Sequence, residues 1–341
     1  MSIVEAHFTV IDRKAVGVLV REVESMFIEF FDYRRLFVKD YRKPKEYATV
    51  DLNVSRTEDS IVKAFLAPIM KLSAEGFAPV FYKLHRWAIR GKGDDLPPDD
   101  KSAELRLVTF LRLAEQLSHR LKELFEPFAS HLFTELVTIV RKFVNLTPET
   151  IQDREQKSGQ DDTKTFESDS DFVAFIAGMP KSQKPIALKA VLGTLKSCFT
   201  FCPPVSFVTN ERFEAVVEPL VDQLENRNLN EDEVRDFVMA AIVHFGVALE
   251  HASKETMLKK LSELVMLKAR HTSAEIRLLA VRCQKQIVLA LGREGMISLL
   301  VELLPSVAEL MEDADEEIEK EAHALLITME DVTGEKLQKY M

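Results

Sequence analysis

Cys198 and Cys202 stand four residues apart, a spacing that puts two thiols on one face of a helix. Such a pair is half of a zinc site, but no second pair and no neighbouring histidine completes it. Free cysteines of this kind pack as small hydrophobes, and packed core thiols is the reading the pattern favours. The eight histidines are scattered from His7 to His323, with no His-x-x-x-His pair and no His-Glu-x-x-His, so no metal site is expected. Glycine-rich phosphate loops, a nucleophile elbow and kinase signatures are also missing, and 11 glycines leave little material for a nucleotide cradle. The chain is expected to be no enzyme, with no cofactor and no small-molecule substrate.

Two charged clusters remain. Arg34, Arg35, Lys39, Arg42, Lys43 and Lys45 are interleaved with Tyr33, Phe37, Tyr41 and Tyr47, so cations for phosphates sit beside rings for stacking. They are a candidate RNA contact. The competing reading is a helix C-terminus whose cations offset the helix dipole. At the other end, Glu312, Asp313, Glu316, Glu319 and Glu321 belong to a run of acids broken only by Lys320 among its charged members. Carboxylates suit a helix N-terminus, which accounts for part of the run. The density suggests a ridge that also docks a basic segment of a partner. Ser168 and Ser170, set among acids, fit an acid-directed kinase, although an ordinary solvated linker is the favoured reading.

The elements that must carry these residues follow from a repeat. Val234, Ile276 and Ile318 are spaced by 42 residues, and behind each the apolar positions recur at i+4, i+7 and i+11. The sets are Val234, Val238, Ala241, Phe245; Ile276, Ala280, Cys283, Ile287; and Ile318, Ala322, Leu325, Met329. That spacing draws one stripe on a helix. Each set is preceded by a partner run, 213–224, 257–267 or 296–311. Two antiparallel helices per period is the pattern of HEAT or armadillo repeats, in which neither helix buries its stripe without its neighbours. The expected fold is all-α, a HEAT/armadillo-like α-solenoid of stacked antiparallel helix pairs.

Upstream, residues 12–41 read as a helix with Val16, Leu19, Val23, Phe27 and Phe30 on its stripe. Ser55 and Glu58 form a capping box for the next helix, with Ile61, Phe65, Ile69 and Leu72 on its stripe. Gly76 ends that helix and Pro79 opens a third. Gly91–Lys101 reads as a loop. Helices then start at Ser102 and Pro127, and another runs over 185–202 until Pro203-Pro204 stops it. The polar stretch 150–171 cannot repay its ordering entropy and is expected to be a disordered acidic linker. The expected organisation is a helical block over 1–149, this linker, and repeats over 172–341.

Composition narrows the function classes. Hydrophobic residues make up 46% and charged residues 29%, a balance suited to a soluble folded chain. No apolar run reaches membrane-spanning length, and the first residues, with Glu5, do not resemble a signal peptide. Three cysteines encode no disulfide framework, which suggests a reducing, intracellular setting. Of the net charge of −10, residues 1–150 contribute +1 and the rest −11. That field disfavours non-specific nucleic-acid binding and suits protein partners.

Gly76-Phe77-Ala78-Pro79-Val80-Phe81-Tyr82-Lys83-Leu84-His85-Arg86-Trp87 resembles the Phe-x-Pro-x-Phe-x-Lys-x-x-x-Trp segment of the HEAT repeat-containing protein 1 family, the large HEAT-repeat subunit of the small-subunit processome. Leu107-Val108-Thr109-Phe110, Leu113-Ala114-Glu115 and Leu121-Lys122-Glu123-Leu124-Phe125 continue the likeness. So do the segment from Pro219 to Arg227, Pro-Leu-Val-Asp-Gln-Leu-Glu-Asn-Arg, and the ending from Gly334 to Tyr340. Family members are far longer, and the resemblance covers their C-terminal portion. It implies a non-enzymatic scaffold of the nucleus and nucleolus, acting in ribosome biogenesis through pre-rRNA transcription and small-subunit rRNA processing. Its implied partners are processome proteins, with pre-rRNA or small nucleolar RNA contacted indirectly. The alternatives are another HEAT-type protein-binding adaptor, or an RNA-binding module using the Arg34–Lys45 patch.

Overall fold

The computed structural model describes residues 27–38, 44–89, 102–146, 150 and 170–337. All regular structure among them is helical. The helices are α1 (Tyr33–Val38), α2 (Pro44–Ile69), α3 (Ala74–Ile89), α4 (Glu104–Leu121) and α5 (Glu126–Lys142). After residues outside the described set come α6 (Ser170–Ala177), α7 (Lys184–Phe201), α8 (Pro204–Phe207) and α9 (Asn210–Val221). Glu231–Glu233, Val234–Met239 and Ala240–His251 run on as one helix, α10. The last four are α11 (Glu255–Lys268), α12 (Ala274–Ala290), α13 (Arg293–Leu310) and α14 (Glu316–Thr333). The chain divides into two compact units: Met1–Phe125 with Ser168–Thr194, and Glu126–Glu167 with Leu195–Met341. Most of the stretch expected to be a linker, 151–169, lies outside the described residues.

The first unit is held by aromatic packing around buried ions. Phe27 and Phe31 each meet Phe65 edge-on at 5.1 Å, and Phe81 packs against Phe110 at 5.6 Å. Three local expectations need correction here. Phe31, not Phe30, takes the buried place beside Phe27, because the helix is interrupted by a turn at Asp32. Ser55 and Glu58 are no capping box: α2 starts eleven residues earlier, at Pro44, and both side chains turn inward to a guanidinium. Proline suits the first helical position because its missing N–H has no intrahelical acceptor there. Nor is the next boundary at Gly76 and Pro79: α2 ends at Ile69 and α3 starts at Ala74, where the Gly76 N–H donates to Ser73 Oγ at 3.2 Å.

The second unit contains the repeats. All twelve stripe residues of the 42-residue pattern are buried. In this unit α10, α12 and α14 stack as one row, while α9, α11 and α13 stack as the other. The first row starts irregularly, since Val234–Met239 is π-wound where the matching parts of α12 and α14 are ordinary α-helix. The segment over Pro219–Arg227 serves as a polar clamp. Gln223 Nε2 donates to the Val140 carbonyl at 2.7 Å and Asn226 Nδ2 to the Phe143 carbonyl at 3.1 Å, satisfying the open end of α5.

The same register picks out a flaw in the core. Ile242, Gln284 and Leu326 are spaced by 42 residues and all face inward, but neither amide atom of Gln284 has a hydrogen-bond partner among the described residues. A buried unsatisfied polar group costs about 1–3 kcal/mol. Gln284→Leu is therefore expected to stabilise the second unit by about that much, read as a higher thermal midpoint; a lower midpoint would mean the amide has a partner in solution.

Candidate interaction surfaces

The basic cluster does not form an RNA-facing patch at the residues where its backbone and side chains are described. Arg34 is fully buried, with 0% of its surface exposed. Its Nε donates to Glu58 Oε1 at 2.8 Å and its Nη2 to Glu58 Oε2 at 2.6 Å, while Nη1 reaches Gln183 Oε1 at 2.6 Å. Thr109 Oγ1 also donates to Glu58, at 2.7 Å. Arg35 is buried as well, paired with Asp32, which also accepts from Arg106 Nε at 2.8 Å. Burial opposes the Asp32 carboxylate, but hydrogen bonds from Arg35 and Arg106 outweigh it and hold its pKa below the ordinary value. Both arginines are thus spent on internal carboxylates, a correction to the expected phosphate contact. Desolvated and already bidentate, they have no donor fork to offer outward. Lys39, Arg42 and Lys43 lie outside the described residues.

The acidic run at the other end is partly spent too. Asp313 receives two 2.9 Å hydrogen bonds from Arg277, whose Nη1 also donates to the His271 and Thr272 carbonyls at 3.1 Å. The Arg277 hydrogen bonds, aided by the Asp315 N–H and opposed by burial, hold the Asp313 carboxyl below the ordinary range. Asp315 caps α14, accepting from the Glu317 and Ile318 N–H groups at 3.0 and 3.4 Å. Glu321 pairs with Lys285, and Glu319 lies 3.9 Å from His323. Of the five ridge residues, Glu312 and Glu316 are exposed with no ion-pair partner among the described residues.

This pairing is systematic along the turns that join the helix pairs. Lys268 pairs with Asp222 at 3.0 Å and also with Glu225, tying the second turn to the first. Arg270 to Glu309, at 2.7 Å, and Arg277 to Asp313 tie it to the third. The turns therefore run acidic, basic, acidic, and the charge of the last is half of a ladder. The acids are plain in the sequence, but the ladder's cations sit 36 residues or more from them and become neighbours only through stacking.

Beside the ladder, α10 and α12 form a groove of about 570 Å³. The π-wound segment brings Arg235, Asp236 and Met239 to one wall, and Arg282, Lys285 and Gln286 form the other. π-Turns inside helices recur at functional sites, because they re-aim side chains that a regular helix would carry past. Arg282 lies 2.7 Å from both Glu231 and Glu317. His244 accepts from or donates to Thr200 Oγ1 at 3.0 Å; burial first, then Lys196, lowers its pKa and favours the neutral ring. Mixed charges over an apolar floor suit recognition of a polypeptide. Cys198 and Cys202 are buried and hydrogen-bonded to each other, which raises the pKa of the first and lowers that of the second. Among the described residues, no group of three or more His, Cys, Asp or Glu is placed to hold a metal ion, and no helix is long and apolar enough to cross a membrane.

The BP28CT (NUC211) domain matches residues 16–204. HEAT repeat-containing protein 1 of Homo sapiens is 31% identical, over 100% of this chain and 14% of that protein. Its homolog in Drosophila melanogaster is 31% identical over 84% of the chain and 12% of that protein. The U3 small nucleolar RNA-associated protein 10 of Scheffersomyces stipitis is 24% identical over 97% of the chain and 16% of that protein. The chain thus spans a small part of the length of these relatives.

Proposed function

The chain belongs to the BP28CT (NUC211) family, that of HEAT repeat-containing protein 1, and from this we propose that it is a non-enzymatic scaffold in ribosome biogenesis. It acts in the nucleolus, within the small-subunit processome, and supports pre-rRNA transcription and small-subunit rRNA processing. The family match over 16–204 carries the reading, and the name of the fungal relatives, which are U3 small nucleolar RNA-associated, points the same way. The mechanism is presentation: stacked helix pairs fix the groove of α10 and α12 and the exposed acids Glu312 and Glu316 on one rigid array. Partner proteins bind there, and RNA is contacted through them. Spending Arg34 and Arg35 on internal pairs supports the indirect route.

The test is purification of the tagged full chain from nucleolar extract, before and after ribonuclease, with and without Glu312→Gln and Glu316→Gln. Processome proteins are expected in both eluates, U3 RNA only in the untreated one. The double variant is expected to fold normally and to lose a basic partner, with the loss mimicked by added salt. An unchanged partner set in the variant leaves the acids as solvated surface charge. Steeply salt-dependent RNA binding by the purified chain alone would favour the RNA-binding reading; partners from outside ribosome assembly would favour a different HEAT adaptor.

A further inference from the structure

The outward face of α13 differs from that of the helix before it. The repeat register pairs Leu261 with Leu303 and Val265 with Val307, and all four are buried. The same 42-residue step pairs Glu255, Lys259 and Glu263 with Ile297, Val301 and Pro305. In α11 these positions form an ordinary solvent-facing row, with Lys259 3.0 Å from Glu255. In α13 the row is apolar and open: Ile297 is 46% and Val301 80% exposed, and Pro305 is exposed too. Three such positions at i, i+4 and i+8 form a continuous stripe of about 12 Å along one helix, which a scatter of single exposed apolar residues does not. Nothing in the fold requires it, since the inward face of α13 already buries Met296, Leu299, Leu303 and Val307.

The charges beside the stripe indicate what covers it. Glu294, Glu302 and Glu309 are the exposed carboxylates of α13, and Glu294 has no ion-pair partner among the described residues. Glu302 and Glu309 have only exposed or half-exposed pairs with Lys259 and Arg270, which a stronger competitor can replace at little cost. We propose that the α13 stripe docks a basic amphipathic helix of a partner protein, its apolar ridge on Ile297, Val301 and Pro305 and its Lys or Arg edge against Glu294, Glu302 and Glu309. Helix-on-helix recognition of this kind reads anchors at i, i+3/i+4 and i+7, and charge steers the approach. The stripe is short, so the expected dissociation constant is on the order of micromolar. The inference does not depend on the ribosome-assembly reading.

The experiment uses the full chain and a dye-labelled synthetic helix of about 18 residues, or five turns. The helix has leucines at i, i+4, i+7 and i+11 and flanking lysines, and binding is followed by fluorescence anisotropy. Val301→Glu and Ile297→Glu are each expected to weaken binding by about tenfold or more while the circular dichroism spectrum stays the same, because both side chains already face water. The same peptide with glutamates for lysines is expected not to bind. Equal binding by wild type and both variants, or by the acidic peptide, overturns the proposal. Dimerisation abolished by Val301→Glu would assign the stripe to a second copy of the chain, and Val301-dependent binding to phosphatidylserine vesicles would assign it to a lipid surface. Either result also overturns it.

Discussion

Arg34→Met is expected to cost about 3–5 kcal/mol of stability, more than most single substitutions remove. The Glu58 carboxylate is 1% exposed, and Arg34 supplies both of its close charged hydrogen bonds. Arg112 is the nearest replacement cation, with its Nε at 3.4 Å from Glu58 Oε2, but it is also committed to Asp59 at 2.6 Å. Removing the guanidinium leaves a desolvated anion with Thr109 and a distant arginine. Gln183, fully buried, loses the Arg34 hydrogen bond at the same time. The penalty arises from the orphaned carboxylate rather than from the strength of the pair. The double variant Arg34→Met with Glu58→Leu is therefore expected to regain most of the loss. Arg34→Lys is expected to regain little, because an ammonium cannot engage both carboxylate oxygens, Gln183 and Ser55 together. The chain's one tryptophan, Trp87, lies in the same unit with Arg106 over its ring, so its fluorescence in a urea titration reads this unfolding. A loss below about 1 kcal/mol in Arg34→Met would mean that the site is hydrated and the pair worth no more than a surface one.

Arg34 also shows where sequence reading fails. Its neighbours in sequence are Tyr33, Arg35 and Phe37, which look like a nucleic-acid surface; its neighbours in space are Glu58 and Gln183. A partner 149 residues away leaves no local signal. Glu58 leaves one that points elsewhere: Ser55 and Glu58 have the spacing of a helix start, and only the continuation of α2 back to Pro44 shows that they are interior. The repeats were legible for the opposite reason. Their packing partners lie within one period, so the 42-residue step reports both the helices and the row they stack in, and the buried stripes of α10, α12 and α14 follow from it. The ion ladder lies between these cases. Asp313 and Glu321 were visible as acids, and their conversion from free ridge to paired ladder depends on which turn stacks on which.

Phe245→Ala tests how far that nearest-neighbour logic extends, with an expected cost of about 3–5 kcal/mol. The ring is 1% exposed, stacked on Phe199 at 4.4 Å and 5.7 Å from Phe213. Its loss leaves a cavity among α7, α9 and α10 and forfeits ring pairs worth about 0.5–1.5 kcal/mol beyond their area. In the repeat register Phe245 corresponds to Ile287 and Met329, so the same truncation can be made at the far end of the row as Met329→Ala, at about 2–5 kcal/mol. A stack in which each pair leans on its neighbours should lose hydrogen-exchange protection from the site of damage outward. For Phe245→Ala, protection is expected to fall first in α9 and α10, then in α11 and α12, with α14 last. For Met329→Ala the order should reverse, starting in α13 and α14. The Arg282 fork, which holds Glu231 at one hand and Glu317 at the other, is the link most exposed to both, since it joins α10 to α14 through α12. If both variants lose protection evenly from α9 to α14, the second unit melts as one cooperative core, and the repeat is a pattern of packing without being a unit of stability.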